Sequence, residues 1–135
     1  MSSMDTPLLH GPDAAYFMAQ ARAVLDALPA HFREQLADIA LEVAEFATAE
    51  QLAAVGLADK WELSGLYHGR PLPDQSIWSS GDLPPTISLF RQPLLAEWHE
   101  TRVELDDLIR HVTIHEAGHH FGFSDDDMHW LEEEA

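Results

Sequence analysis

The chain has 135 residues, the length of one domain, and its 46% hydrophobic content supports a modest single core. Seven Lys and Arg against 24 Asp and Glu leave a formal charge of −17, which repels phosphate backbones and argues against nucleic acid or anionic membrane as partners. With no cysteine, disulfide scaffolds, thiolate metal sites and Cys nucleophiles are excluded together.

The opening "MSSMDTPLLHGPD" has no basic segment leading into a long apolar stretch, and no run approaches the ~18 apolar residues of a membrane span. A cytoplasmic protein is expected, monomeric by default, with residues 1–10 as a flexible leader and 11–135 as a single domain. "GPDAAYFMAQARAVLDALP" reads as a helix between Pro12 and Pro29, with Phe17, Ala21, Val24 and Leu28 forming its apolar stripe. In "ADIALEVAEFA" the period changes. Ile39, Leu41 and Val43 alternate with smaller or charged residues, as in a half-buried strand. Thr48 and Gln51 then form a capping box that opens a short helix ending near Gly56.

Residues 58–85 hold Gly65, Gly69, Pro71, Pro73, Gly81, Pro84 and Pro85, and read as an irregular excursion long enough to be functional. "TISLF", 86–90, is β-rich, and Pro93 after it predicts an edge strand. Thr101 with Glu104 makes a second capping box, from which helical pattern runs to Phe121, with Gly122 at the C′ position. Leu105, Leu108, Ile109 and Val112 lie on one side of this helix, and Val103, Ile114 and Phe121 on the other. A helix apolar on two sides is expected in the middle of the fold.

Within that helix stands His115-Glu116-Ala117-Gly118-His119, an H-E-x-x-H motif. Residues i and i+4 differ by about 40° around a helix, so both imidazoles can reach one ion. Glu116 projects beside them, placed to take a proton from water without binding the metal. Glu116 and His119 continue the stripe of Leu105, Leu108 and Val112, where ionisable groups need partners that coordination would supply. Gly122 lets the chain turn out of the helix, and Asp125 falls ten residues after His115. That is the register of the extended form H-E-x-x-H-x-x-G-x-x-H with Asp replacing the last His, and a carboxylate is an acceptable zinc ligand.

"HEAGHHFGFSDDDMHWLE", with "GLYHGRPL" and "ISLFRQP" upstream, resembles the small single-domain zincin-like metallopeptidases of bacteria, the minimal zincin type 1 group. The resemblance covers most of residues 30–135 and is strongest over 110–131. It implies an α+β, zincin-like fold, a small mixed sheet whose edge strand borders the cleft, backed by the H-E-x-x-H helix. It also implies zinc held by His115, His119 and Asp125, with Glu116 as catalytic base.

Blander roles compete at several positions. His111 points about 80° away from His119, which favours a core role or one behind the metal ligands. His120 should miss the ion and act as a cation at the helix terminus. Asp126 and Asp127 either begin a terminal helix or orient a ligand histidine, and Met128 either packs beneath the site or is an ordinary apolar residue. Glu132, Glu133 and Glu134 are rival third ligands on a later helix, or else a solvated tail pinned by Trp130 and Leu131. Tyr67 and His68 either border the cleft and steady an oxyanion or belong to an anchored turn. Arg70 and Arg91 are expected in structural ion pairs.

The function these residues support is a zinc-dependent peptidase acting on short or unfolded peptides, with substrate added as a strand along "TISLF". The alternative is a non-catalytic, zinc-stabilised acidic module that docks a partner, although a structural zinc site needs no base at Glu116.

Overall fold

A computed structural model describes residues 8–69, 84–123, 126–127 and 132–133. Helix α1, Ala14–Asp26, starts where the Asp13 carboxylate accepts the Tyr16 N–H at 2.9 Å, satisfying one of the free donors of the first turn. Phe17, Ala21 and Leu25 bury its inner face, and Leu28 is buried just beyond it. Helix α2, Ala30–Gln35, follows Pro29 and inserts Phe32 into the core. Strand β1, Ala40–Ala44, keeps the predicted alternation, with Leu41 and Val43 packed against the core. Helix α3, Ala49–Ala54, carries both bonds of the predicted capping box, Gln51 N–H to Thr48 Oγ1 at 3.1 Å and Thr48 N–H to Gln51 Oε1 at 2.8 Å.

The stretch expected to be irregular contains a 3-10 turn, Lys60–Glu62, and strand β2, Gly65–His68. Its residues 70–83 lie outside the described residues. Strand β3, Thr86–Phe90, pairs in parallel with β1 and antiparallel with β2, giving a mixed sheet of order β1-β3-β2. "TISLF" is therefore the central strand and not the predicted edge, and Ile87 to Phe90 are all buried. Pro93 misled the reading because it does not belong to a strand. Helix α4, Arg91–Thr101, begins directly after β3, with Pro93 in its first turn, where a missing N–H costs nothing. The edge strand beside the cleft is β2.

The second capping box is also absent. Thr101 ends α4, its hydroxyl donating to Glu97 O at 2.7 Å and accepting the Val103 N–H at 3.2 Å. Arg102 turns the chain in the left-handed region, at φ 63°. Helix α5, Leu105–Phe121, then starts from Glu104 without a side-chain cap. It is buried on both sides, through Leu105, Leu108, Ile109 and Val112 and through Ile114 and Phe121, whereas Val103 lies before it and is exposed. Truncating a fully buried residue such as Ile109 or Ile114 to Ala would cost roughly 2–5 kcal/mol.

Helix α5 packs on α1, α4, β2 and β3. Its contact with β2 is close enough to require glycine: a Cβ on Gly65 would stand 2.4 Å from Val112 Cγ1. At its other end Gly122 takes φ 74°, with Gly122 N–H on His119 O at 3.1 Å and Phe123 N–H on Gly118 O at 2.9 Å, the paired bonds of a left-handed helix stop. Ahead of α1, Leu9 is tied on both backbone groups to the buried Gln92 side chain, at 2.7 and 3.1 Å.

Candidate metal centre

Helix α5 presents His115 and His119 on successive turns, with ring centroids 4.9 Å apart and nearly perpendicular. Glu116 lies between them, its Oε1 4.0 Å from His119 Nε2. Atoms of His115, Glu116 and His119 that could ligate a metal all fall within 4.8 Å of one another, the one such group among the described residues. The two imidazoles are reachable from solvent, whereas Glu116 is buried. A cavity of about 180 Å³ opens beside His115 and Glu116, lined also by Ser64, Gly65, His111 and Val112.

The ladder between β2 and β3 decides what faces this cavity. Phe90 N–H donates to Ser64 O at 2.9 Å, and Gly65, Leu66, Tyr67 and His68 oppose Leu89, Ser88, Ile87 and Thr86. In an antiparallel pair, hydrogen-bonded and non-bonded positions alternate. Ser64, Leu66 and His68 therefore bond inward to β3, and Gly65 and Tyr67 aim their N–H and C=O groups at the open edge. There the Tyr67 N–H donates to the Glu116 carboxylate. Burial pushes the Glu116 carboxyl up to about 7, with the Tyr67 N–H pulling partly the other way.

His120 is not the helix-terminus cation expected of it. It is buried, with Nε2 3.3 Å from Gln35 O and Nδ1 2.7 Å from the Tyr67 hydroxyl. A carbonyl only accepts, so Nε2 carries the proton and Nδ1 accepts from Tyr67. Burial pushes the His120 pKa down, holding the ring neutral. Tyr67 is thus anchored at both ends, by its hydroxyl on His120 and by its N–H on Glu116. This bridge joins residues 53 apart in sequence, and no local pattern announces it. The signal that was available is Gly65, since a glycine inside a strand marks a close approach of another element.

Asp125, Met128, Trp130, Leu131, Glu134 and Arg70 lie outside the described residues. Glu132 bonds His111 Nδ1 at 2.6 Å, and His111 is 59% exposed and so not a core residue. Asp126, Asp127, Glu133 and His68 are exposed. Arg91 pairs with Glu45 at 2.7 Å and donates to Pro12 O and Gly11 O, the structural use predicted for it.

A helix bearing H-E-x-x-H, packed behind the antiparallel edge strand of a small mixed sheet, is the arrangement of a zincin-like fold. The sequence profile of the zincin-like metallopeptidases matches residues 36–135, and the chain belongs to that family. A search of curated proteins finds no match. Among the described residues, no helix is long and apolar enough to cross a membrane.

Proposed function

We propose that the protein is a zinc-dependent metallopeptidase that hydrolyses short or unfolded peptides, with His115, His119 and Asp125 as metal ligands and Glu116 as general base. The observation that supports this most is the placement of Glu116: buried between the two histidines and bonded by the edge strand. A general base must lie within reach of the proton it takes, which a carboxylate set between the two histidines does. The donors also suit zinc, since imidazole nitrogen and carboxylate oxygen are its ordinary ligands where no thiolate exists. Zinc bound there would supply a Lewis acid that polarises a peptide carbonyl and lowers the pKa of water towards ~7.

The chain's own residues account for the remainder. Glu116 takes the proton of the attacking water and returns it to the leaving amine, and the Tyr67 N–H fixes the direction of its carboxylate. Gly65 offers backbone groups at the open edge of β2, where an extended peptide can add as a further strand. Val112 and the β2 backbone exclude water from one side of the cleft.

The test is zinc content and cleavage of a peptide library by parent, Glu116→Gln and Asp125→Ala proteins. Glu116→Gln should keep stoichiometric zinc and lose roughly 10²–10⁴-fold in rate. Asp125→Ala should bind zinc far more weakly than Glu133→Ala does. Full-rate cleavage by Glu116→Gln removes the base from the mechanism, and parental zinc affinity in Asp125→Ala removes the third ligand.

A further inference from the structure

Beside the catalytic cleft lies a larger groove, of about 590 Å³, between the 3-10 turn and α4. Ser64, just ahead of β2, lines both, so the groove adjoins the cleft at the start of that strand. We propose that this groove is a substrate subsite that accepts a basic side chain, Lys or Arg, of the peptide held along β2. The inference rests on the peptidase reading and names the substrate class it implies.

The chemistry of the walls selects the occupant. The lining combines apolar Leu9, Trp61, Pro93 and Ala96 with the exposed Glu62, Glu97 and Glu100, and includes one His, His99. Glu97 and Glu100 stand three residues apart on α4 and so share one face. Among the described residues no Lys or Arg lines the groove, and Lys60, next to Trp61 in sequence, sits instead over the Phe46 ring at 4.3 Å. A long basic side chain is matched to such a place, its aliphatic stem on the apolar residues and its head among the carboxylates. The indole of Trp61 adds a face over which a cation is favoured. Acidity alone would not single out the groove on a chain of charge −17. What distinguishes it is a concave shape with Trp61, Pro93 and Ala96 in its lining, next to the cavity that Glu116 lines.

The walls are also braced before any ligand arrives. Phe46 meets Trp61 edge to face, with centroids 4.8 Å apart, and the Asp59 carboxylate accepts the Trp61 N–H at 3.0 Å. Leu9, also in the lining, is held by Gln92, which donates to Glu45 at 3.0 Å as well. A preformed site loses less entropy on binding than one that must be ordered.

The test separates recognition from hydrolysis. Zinc-loaded Glu116→Gln protein is titrated with capped Ala-Ser octapeptides carrying one Lys, and with the same peptides carrying norleucine, which keeps the stem and removes the charge. The Lys peptide should bind about tenfold more tightly, a preference that weakens with salt. In Glu97→Gln/Glu100→Gln protein, with both changes at exposed residues, the Lys peptide should fall to the affinity of the norleucine peptide. Equal binding of the two peptides overturns the subsite, as does a Lys preference that survives both substitutions. Parent protein then reports on the underlying reading. Cleavage of the library with no basic residue at a fixed position from the cut bond overturns the subsite and leaves the peptidase intact. A Lys preference in binding, with no peptide cleaved by the parent, upholds the recognition and overturns the peptidase.

Discussion

Glu116 and His120 stand four residues apart on α5, and burial drives both towards their neutral forms with opposite consequences for pH. Glu116 is raised from 4.5 to about 7, so the metal-free folded protein keeps a proton that the unfolded chain releases. Its contribution is complete below 4.5 and is lost as pH rises towards 7, by up to about 3 kcal/mol. His120 is lowered from 6.5, so its contribution is present above 6.5 and is lost as pH falls through its folded value. Substitution isolates the first effect. In the presence of chelator, the unfolding free energy of Glu116→Gln should gain on that of the parent between pH 4.5 and 7, as followed by urea titration. Parallel curves would mean that the carboxyl is solvated in the folded protein. At this scale the H-E-x-x-H residues were legible because their relation is helical and local. The neutral His120 was not, because its partners Gln35 and Tyr67 come from distant parts of the chain.

The contact between β2 and α5 governs the site at the scale of elements. Gly65 admits Val112 where a methyl group would stand 2.4 Å away, and Glu116 Cγ lies 3.5 Å from the same point. Gly65→Ala should push the strand off the helix, costing roughly 1–3 kcal/mol, as overpacked sites do. A second change, Val112→Ala, makes room, so the double variant should be more stable than the sum of the two single changes predicts. Strict additivity in thermal unfolding would show that strand and helix do not meet there. The helices α1 and α3 and strand β1 could be read from their caps and periods, each of which spans a few neighbouring residues. Strand β2 could not, because four residues flanked by glycine carry too short a pattern. The order of the sheet was misread through Pro93, whose ring fits the first turn of α4 as well as it would end a strand. Yet the zincin-like arrangement survives that error, since it needs an antiparallel edge strand beside α5 and β2 supplies one.

For the whole molecule, a formal charge of −17 sets a repulsive background that an added divalent cation relieves. Two kinds of relief must be separated. General screening acts on the entire surface and follows ionic strength. Coordination at the proposed centre would depend instead on the nitrogen donors of His115 and His119. Zinc in hundredfold excess over its dissociation constant should stabilise the folded state by about 2.7 kcal/mol. For a chain of this length that corresponds to a rise of roughly 10 °C in Tm. Magnesium at the same concentration prefers oxygen ligands and several retained waters, so its effect should be smaller and the same in every variant. His119→Ala should respond to zinc only as much as it responds to magnesium, measured by calorimetry at fixed ionic strength. A zinc-specific rise of parental size in His119→Ala would place the ion elsewhere on the acidic surface and remove the metal centre from α5.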